Sequence, residues 1–176
     1  SVSTGLRLSL VDLDPAVASS LGRAFYGQPE VPVQVADILD VAENTLVSPA
    51  NGHGFMDGGI DHAYARFFGR GVEQKVREAI ARRPEGYLPV GAGLTIGTGH
   101  PRIPFLVVVP TMLSPEMTDA DAAYRAMRAM LREVARHPEV ARSVYCPGLA
   151  TGVGAVPPDE AASAMLSAYR DWLATR

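Results

Sequence analysis

A chain of 176 residues, 47% of them hydrophobic, can bury one sizeable core but not two comfortable ones, which predicts a single domain over residues 1–176. Its formal net charge is −3, Lys75 is the sole lysine and there is no basic block, so a sequence-independent grip on nucleic acid is excluded and any anion must be held by backbone amides and helix ends. The single cysteine, Cys146, rules out an internal disulfide and an all-cysteine metal site. No run reaches the roughly 18 to 20 apolar residues of a membrane span. Residues 1–5 lack the basic-then-apolar pattern of a signal peptide, and with the lone cysteine this predicts a cytoplasmic protein. The abundance of Ala and Arg, with so little Lys, predicts a GC-rich bacterial source.

In chain order, residues 6–11 alternate apolar with polar and read as a strand. Asp14-Pro15 supplies an N-cap and a first-turn proline, and Val17, Leu21, Ala24 and Phe25 form one stripe of a helix that stops at Gly27. Residues 31–35 and 45–47 read as two more strands. A Gly-rich segment then leads into a helix over residues 58–68, broken by Gly69 to Gly71, and a second helix carries Val72, Val76, Ala79 and Ile80 on one face. Residues 94–96 form a brief strand, and the near-continuous apolar run 104–109 suits a central strand covered on both faces. Thr118-Asp119 opens what reads as the longest helix, residues 143–146 give a strand leading to a second Gly-rich loop, and Pro157-Pro158 precedes a last helix over 161–173 with Tyr169 and Trp172 facing inward. Alternating strands and helices predict an α/β fold, a three-layer α/β/α sandwich around a mixed, mostly parallel sheet.

The stretch after the third strand, S-P-A-N-G-H-G-F-M-D-G-G-I-D over residues 48–61, organises the rest. Its glycines let the main chain approach a ligand closely, and the following helix offers a positive N-terminal end to a phosphate; the alternative is a surface loop whose glycines only turn the chain. Both Gly-rich loops follow strands, so in a parallel sheet both open at the carboxyl edge, where they form a pyrophosphate clamp. Neither is a P-loop or a Rossmann fingerprint, because no Gly-Lys-Ser/Thr follows Gly148 and no G-x-G-x-x-G occupies the first strand–helix turn.

Residues 51–61 resemble the Asn…Gly-Gly-Gly-Val-Asp signature of macro domains, which bind ADP-ribose, and the spacing from Asn51 to Asp61 agrees without a gap. Val35-Ala36-Asp37-Ile38 resembles the family's Gly-Asp-Ile, residues 91–97 its Gly-x-x-x-x-Thr-x-Gly segment, and residues 147–157 its second loop; the likeness runs over about residues 34–169. The resemblance implies that Asp37 and Ile38 recognise adenine. It places Asn51 at a ribose, and Gly58, Gly59, Ile60, Ala150, Thr151, Gly152, Val153 and Gly154 around the diphosphate and proximal ribose. Asp61 falls beside the phosphates and distal ribose.

The residues themselves leave alternatives. Asp37 equally reads as a turn aspartate, Asn51 as a left-handed turn residue and Asp61 as a helix cap. Departures from the family pattern are Ser48-Pro49 in place of Asn-Ala, Asp57 in place of a glycine, His53 at a small polar position, and Gly154-Ala155-Val156 where relatives carry aromatics. Without those rings, adenine would stack on an aliphatic side chain such as Leu13. Asp57 and His53, with Asp61, are the candidate catalytic groups, a carboxylate and an imidazole able to activate water; against this, Asp57 also reads as a helix cap and His53 as a solvated loop residue. Cys146 reads as packing, and no metal or cofactor is assigned.

The chain is thus expected to bind ADP-ribose or a derivative between its two loops and to hydrolyse an ADP-ribosyl conjugate or ADP-ribose 1″-phosphate. The alternatives are a reader of ADP-ribose without turnover, or a site for another nucleotide such as NAD. The expected partners are ADP-ribose and ADP-ribosylated macromolecules, nucleic acid only where it is itself ADP-ribosylated, and no membrane; oligomeric state is left open. A typical macro domain ends in one more strand, often Phe-Asp, and a helix. Residues 6–25 look like that piece moved to the front, a circular permutation; the competing reading is an ordinary N-terminal strand and helix on a smaller sheet.

Overall fold

The computed structural model of the protein describes residues 5–176. Strand β1 (Leu8–Asp12) passes directly into helix α1 (Pro15–Ala24), where Asp14 accepts the N–H of Ala16 at 2.9 Å and Pro15 opens the helix. This is the cap the dipeptide predicts, since an N-cap carboxylate satisfies an orphan N–H and proline has none to lose. The helix ends at Ala24, with Phe25 donating its N–H to the Leu21 carbonyl, before Gly27 is reached.

Strand β2 (Val33–Val35) is followed by a single turn, α2 (Ile38–Val41), whose N-cap is Asp37. Strand β3 (Thr45–Asn51) runs four residues beyond the predicted stretch, because Ser48 through Asn51 continue the pairing with β5 (Phe105–Met112). Helices α3 (Gly59–Phe68) and α4 (Arg70–Ala81) are separated by Gly69 alone, at φ 92°, while Gly71 lies inside α4. The chain continues through β4 (Leu94–Gly97), β5, α5 (Ala120–Ala135), a short α6 (Pro138–Ala141), β6 (Val144–Cys146) and α7 (Pro158–Ala174). The last helix, with 17 residues, exceeds α5 by one, because Pro158 begins it three residues ahead of the expected start.

Among the described residues six strands lie in the order β2-β1-β6-β3-β5-β4, parallel except where β4 runs antiparallel to β5. Alternation along β5 explains its unbroken apolar sequence. Val107 and Val109 join the core under α1, α5 and α7, whereas Leu106 and Val108 join the core under α3 and α4. Met127, Met130, Leu131, Met165, Tyr169 and Trp172 fill the first layer, and Tyr64, Val72, Val76 and Ile80 the second. Each such side chain contributes about 1.5–3 kcal/mol by burial. Strand β1 is interior, parallel to both β2 and β6, so the N-terminal strand is not an edge addition.

Candidate ligand crevice

Because β2, β1, β6, β3 and β5 are all parallel, their carboxyl ends share one edge, and the segments that follow them line a single crevice of about 580 Å³. In sheet order these contribute Asp37 and Ile38 after β2, Leu13 after β1, Gly148 and residues 150–154 after β6, Phe55 and residues 57–61 after β3, and Pro115 after β5. The two Gly-rich loops thus meet across the crevice as the strand pattern requires. Leu13 is 68% exposed on its wall and presents an aliphatic surface there.

Among the described residues no Lys, Arg or His lines the crevice, and its charged residues are Asp12, Asp14, Asp37, Asp57 and Asp61. An anion there would depend on main-chain donors. The N–H groups of Gly58, Gly59 and Ile60, at the start of α3, lack intrahelical partners, and those of Gly152, Val153 and Gly154 donate to no protein acceptor among the described residues. Gly59 takes φ +61°, which glycine alone adopts without strain. The second loop is tightly wound: Val156 N–H donates to the Ala150 carbonyl at 2.9 Å and Ala155 N–H to Gly152 at 3.0 Å. Ala150 and Ala155 hold left-handed φ of 67° and 55°, strain of order 1–3 kcal/mol each that the loop closure sustains.

Several predicted residues meet in the crevice. Asp37 lines it while one carboxylate oxygen, Oδ1, accepts the Leu39 N–H at 3.0 Å, so the turn role the sequence allows is present at a residue of the crevice wall. Asn51 also lines it, but its amide pins the loop: Oδ1 accepts the N–H groups of His53 (3.0 Å) and Phe55 (3.2 Å), and Nδ2 donates to the Phe55 carbonyl (2.8 Å). One Nδ2 hydrogen remains for a ligand. Asp57 is exposed and lines the crevice. The N-cap of α3 is Gly58 and no side chain caps it, so neither Asp57 nor Asp61 serves as the cap.

His53 is a correction. It does not line the crevice: the turn pinned by Asn51 carries it to the exposed surface beside Phe55, with ring centroids 6.4 Å apart, and no carboxylate–imidazole pair forms with Asp57. Asp61 is 7% exposed and accepts a hydrogen bond from Ser48 Oγ at 2.7 Å. Burial pushes its carboxyl up to about 7, with the Ser48 bond opposing and the charges of Asp57 and Glu73 adding. Ser48, which departs from the family pattern, is therefore the partner that holds Asp61. Nearby, the buried Tyr64 hydroxyl donates to the Val47 carbonyl at 3.1 Å. Cys146 is fully buried beneath the second loop and desolvation drives its thiol pKa upward, as a packing residue's would be.

Asp12 is a residue that the sequence does not single out. Its Oδ2 accepts the N–H of Gly148 and its Oδ1 that of Asp14, each at 3.0 Å, tying the end of β1 to the second loop. Burial, opposed by those two bonds, raises its carboxyl pKa. A Cβ on Gly148 would stand 2.5 Å from Val17 Cγ1, so only glycine fits against α1 there.

The description "Macro domain" matches residues 47–165, more than half of the chain. It belongs to the macro domain family. An uncharacterised protein of Aquifex aeolicus is 32% identical to this macro domain over 141 residues, covering 80% of this chain and 81% of that one. A macro domain-containing protein in the gbd 3′ region of Cupriavidus necator is 26% identical over 140 residues, 78% of this chain and 79% of that one. Among solved structures, the macrodomain of Mycobacterium tuberculosis DarG superposes with a TM-score of 0.67 at 21% identity, covering 79% of this macro domain and 89% of that chain. A glycine-to-valine variant of the Oceanobacillus iheyensis macrodomain with ADP-ribose gives 0.67 at 23% identity, with 79% and 75% coverage. The Trypanosoma brucei macrodomain in complex with ADP gives 0.62 at 18% identity, with 99% and 60% coverage. At these identities the superpositions establish the fold. The family match begins within β3, leaving β1, α1, β2 and α2 of this macro domain ahead of it. Among the described residues no helix is long and apolar enough to cross a membrane.

Proposed function

We propose that this macro domain binds ADP-ribose, free or attached to a macromolecule, and hydrolyses the bond between the distal ribose and its conjugate. The carrying observation is the composition of the crevice: unpaired main-chain N–H groups from both loops, flanked by carboxylates and lined by no cationic side chain. Such a site suits a diphosphate held by amides between two hydroxyl- and amine-bearing ends. Relatives solved with ADP-ribose and with ADP support the ligand class.

In this reading Asp37, with the Ile38 N–H, takes the adenine edge and Leu13 covers its face. Gly58 to Ile60 and Ala150, Thr151, Gly152, Val153 and Gly154 surround the diphosphate and proximal ribose, and Asn51 offers its remaining N–H to the distal ribose. Asp57 accepts a proton from the attacking water. The conjugate bond breaks, leaving ADP-ribose with a free 1″-hydroxyl and returning the proton to the departing carrier. Asp61, held by Ser48, sits behind it as a neutral or singly charged neighbour according to pH.

A reader without turnover is the second reading. The exclusion of His53 from the crevice favours it, since the one imidazole the sequence offered for proton transfer stands outside. Incubation with a labelled ADP-ribosyl protein and with ADP-ribose 1″-phosphate decides between them. The hydrolase releases ADP-ribose, and Asp57→Ala loses that release by about 100-fold or more while retaining binding. Binding without release from any conjugate identifies the reader.

We also take β1–α1 as the family's terminal strand and helix carried to the front. The interior place of β1 between β2 and β6, and a family match that starts only at residue 47, support this permutation. Moving residues 5–30 behind α7 through a short linker should preserve a cooperative thermal transition; loss of folding would count against it.

A further inference from the structure

A second cavity, about 940 Å³, lies between α3 and α4 and adjoins the crevice at Asp57, which lines both. Three arginines line it: Arg66 from α3, and Arg70 and Arg77 from α4. Arg66 and Arg70 are exposed, and their side chains make no ion pair or hydrogen bond among the described residues. Arg77 lies over the Phe55 ring at 4.5 Å, a cation–π contact that leaves its guanidinium edge free of a carboxylate. Two of the groove's three acids are engaged: Glu73 Oε2 accepts the Met56 N–H at 2.5 Å, and Glu78 Oε1 accepts the Gln74 amide at 3.0 Å.

Free guanidinium forks match carboxylate or phosphate acceptors. The charge balance chooses between them. Asp57, Glu73 and Glu78 equal the three arginines in number, so a phosphodiester chain, charged at every step, would set phosphates against those carboxylates. A peptide places carboxylates singly on an uncharged backbone and can pair them with Arg66 and Arg70 alone.

We infer that the α3–α4 groove seats an acidic peptide segment of the ADP-ribosylated carrier, with its carboxylates on Arg66 and Arg70, while the modified residue enters the crevice past Asp57. This rests on reading the crevice as the ADP-ribose site. It gives the protein a preference among carriers that the crevice alone does not supply.

The test uses fluorescent peptides bearing ADP-ribose through a hydrolysis-resistant linkage, flanked by Glu, by Gln or by Lys, with free ADP-ribose alongside. The Glu-flanked conjugate should bind the wild type roughly tenfold more tightly than the Gln-flanked one, the sum of two exposed ion pairs. In the double variant Arg66→Ala/Arg70→Ala that preference should fall below about twofold, and in Arg66→Glu/Arg70→Glu it should pass to the Lys-flanked peptide, with free ADP-ribose bound equally by all three proteins. Equal affinity for Glu- and Gln-flanked conjugates in the wild type overturns the inference. So does equal weakening of free ADP-ribose by the variants, or an ADP-ribosylated oligonucleotide that binds more tightly than the Glu peptide and depends on the same arginines. Loss of free ADP-ribose binding in the wild type overturns the crevice reading instead. The groove is then read separately, from amide shifts in α3 and α4 on adding the unmodified Glu peptide, whose absence refutes it.

Discussion

Asp61 offers a sharp test of the site's electrostatics, because its carboxyl is 7% exposed and has one hydrogen-bond donor, Ser48 Oγ, to offset its burial. Its pKa in the fold is about 7 against an ordinary 3.8. A group that binds its proton more tightly when folded lowers stability as pH rises, because above pH 4 the unfolded chain has released the proton and the native one still carries it. Across about three pH units, at 1.36 kcal/mol per unit, the loss is about 4 kcal/mol, confined to the window from about pH 4 to pH 7 and flat above it. Asp61→Asn keeps an oxygen acceptor for the Ser48 hydroxyl and nearly the same volume, but has no charge to desolvate. Urea unfolding of both proteins from pH 4 to pH 8 should give converging stabilities at the acid end and an Asn variant more stable by about 2–4 kcal/mol at pH 8. Parallel stability curves, or a variant less stable at pH 8, would show that Asp61 is ionised and solvated in the native state.

Three further outcomes follow from the same geometry. Asp12→Ala removes the acceptor of the Gly148 and Asp14 N–H groups and should cost about 1–2 kcal/mol in urea melts, with ADP-ribose affinity falling about tenfold as the second loop loosens. Gly148→Ala forces a Cβ to 2.5 Å from Val17, so calorimetry should show binding lost outright while the thermal midpoint falls by several degrees. Native Cys146 should resist a disulfide exchange reagent and react only at the rate of unfolding, because its thiol is buried and its thiolate disfavoured.

What could be read from the sequence was what local chemistry determines. Asp14-Pro15 announces a helix start because both residues act within one turn, and the run at 104–109 announces a central strand because both of its faces must be apolar. The crevice followed from two Gly-rich loops after parallel strands. Boundaries slipped where tertiary pairing extended an element, as β5 draws β3 on through Pro49 to Asn51. Asp12 was illegible because its partner Gly148 is 136 positions away, and only the adjacency of β1 and β6 brings them together. His53 was misplaced for a similar reason: proximity to Asp57 along the chain suggested a pair, but the Asn51 side chain closes a turn that separates them. The α3–α4 groove was equally hidden, since three arginines on two helices form no motif until Gly69 sets the angle between them.

The most direct test of the central claim is calorimetric titration with ADP-ribose, with AMP and NAD as controls, on the wild type and on Asp37→Ala. The account predicts one ADP-ribose per chain, weaker binding of AMP for want of the diphosphate's second half, and roughly tenfold weaker ADP-ribose binding when the Asp37 carboxylate is removed. No detectable heat and no thermal shift with ADP-ribose, or an affinity indifferent to Asp37, would contradict it.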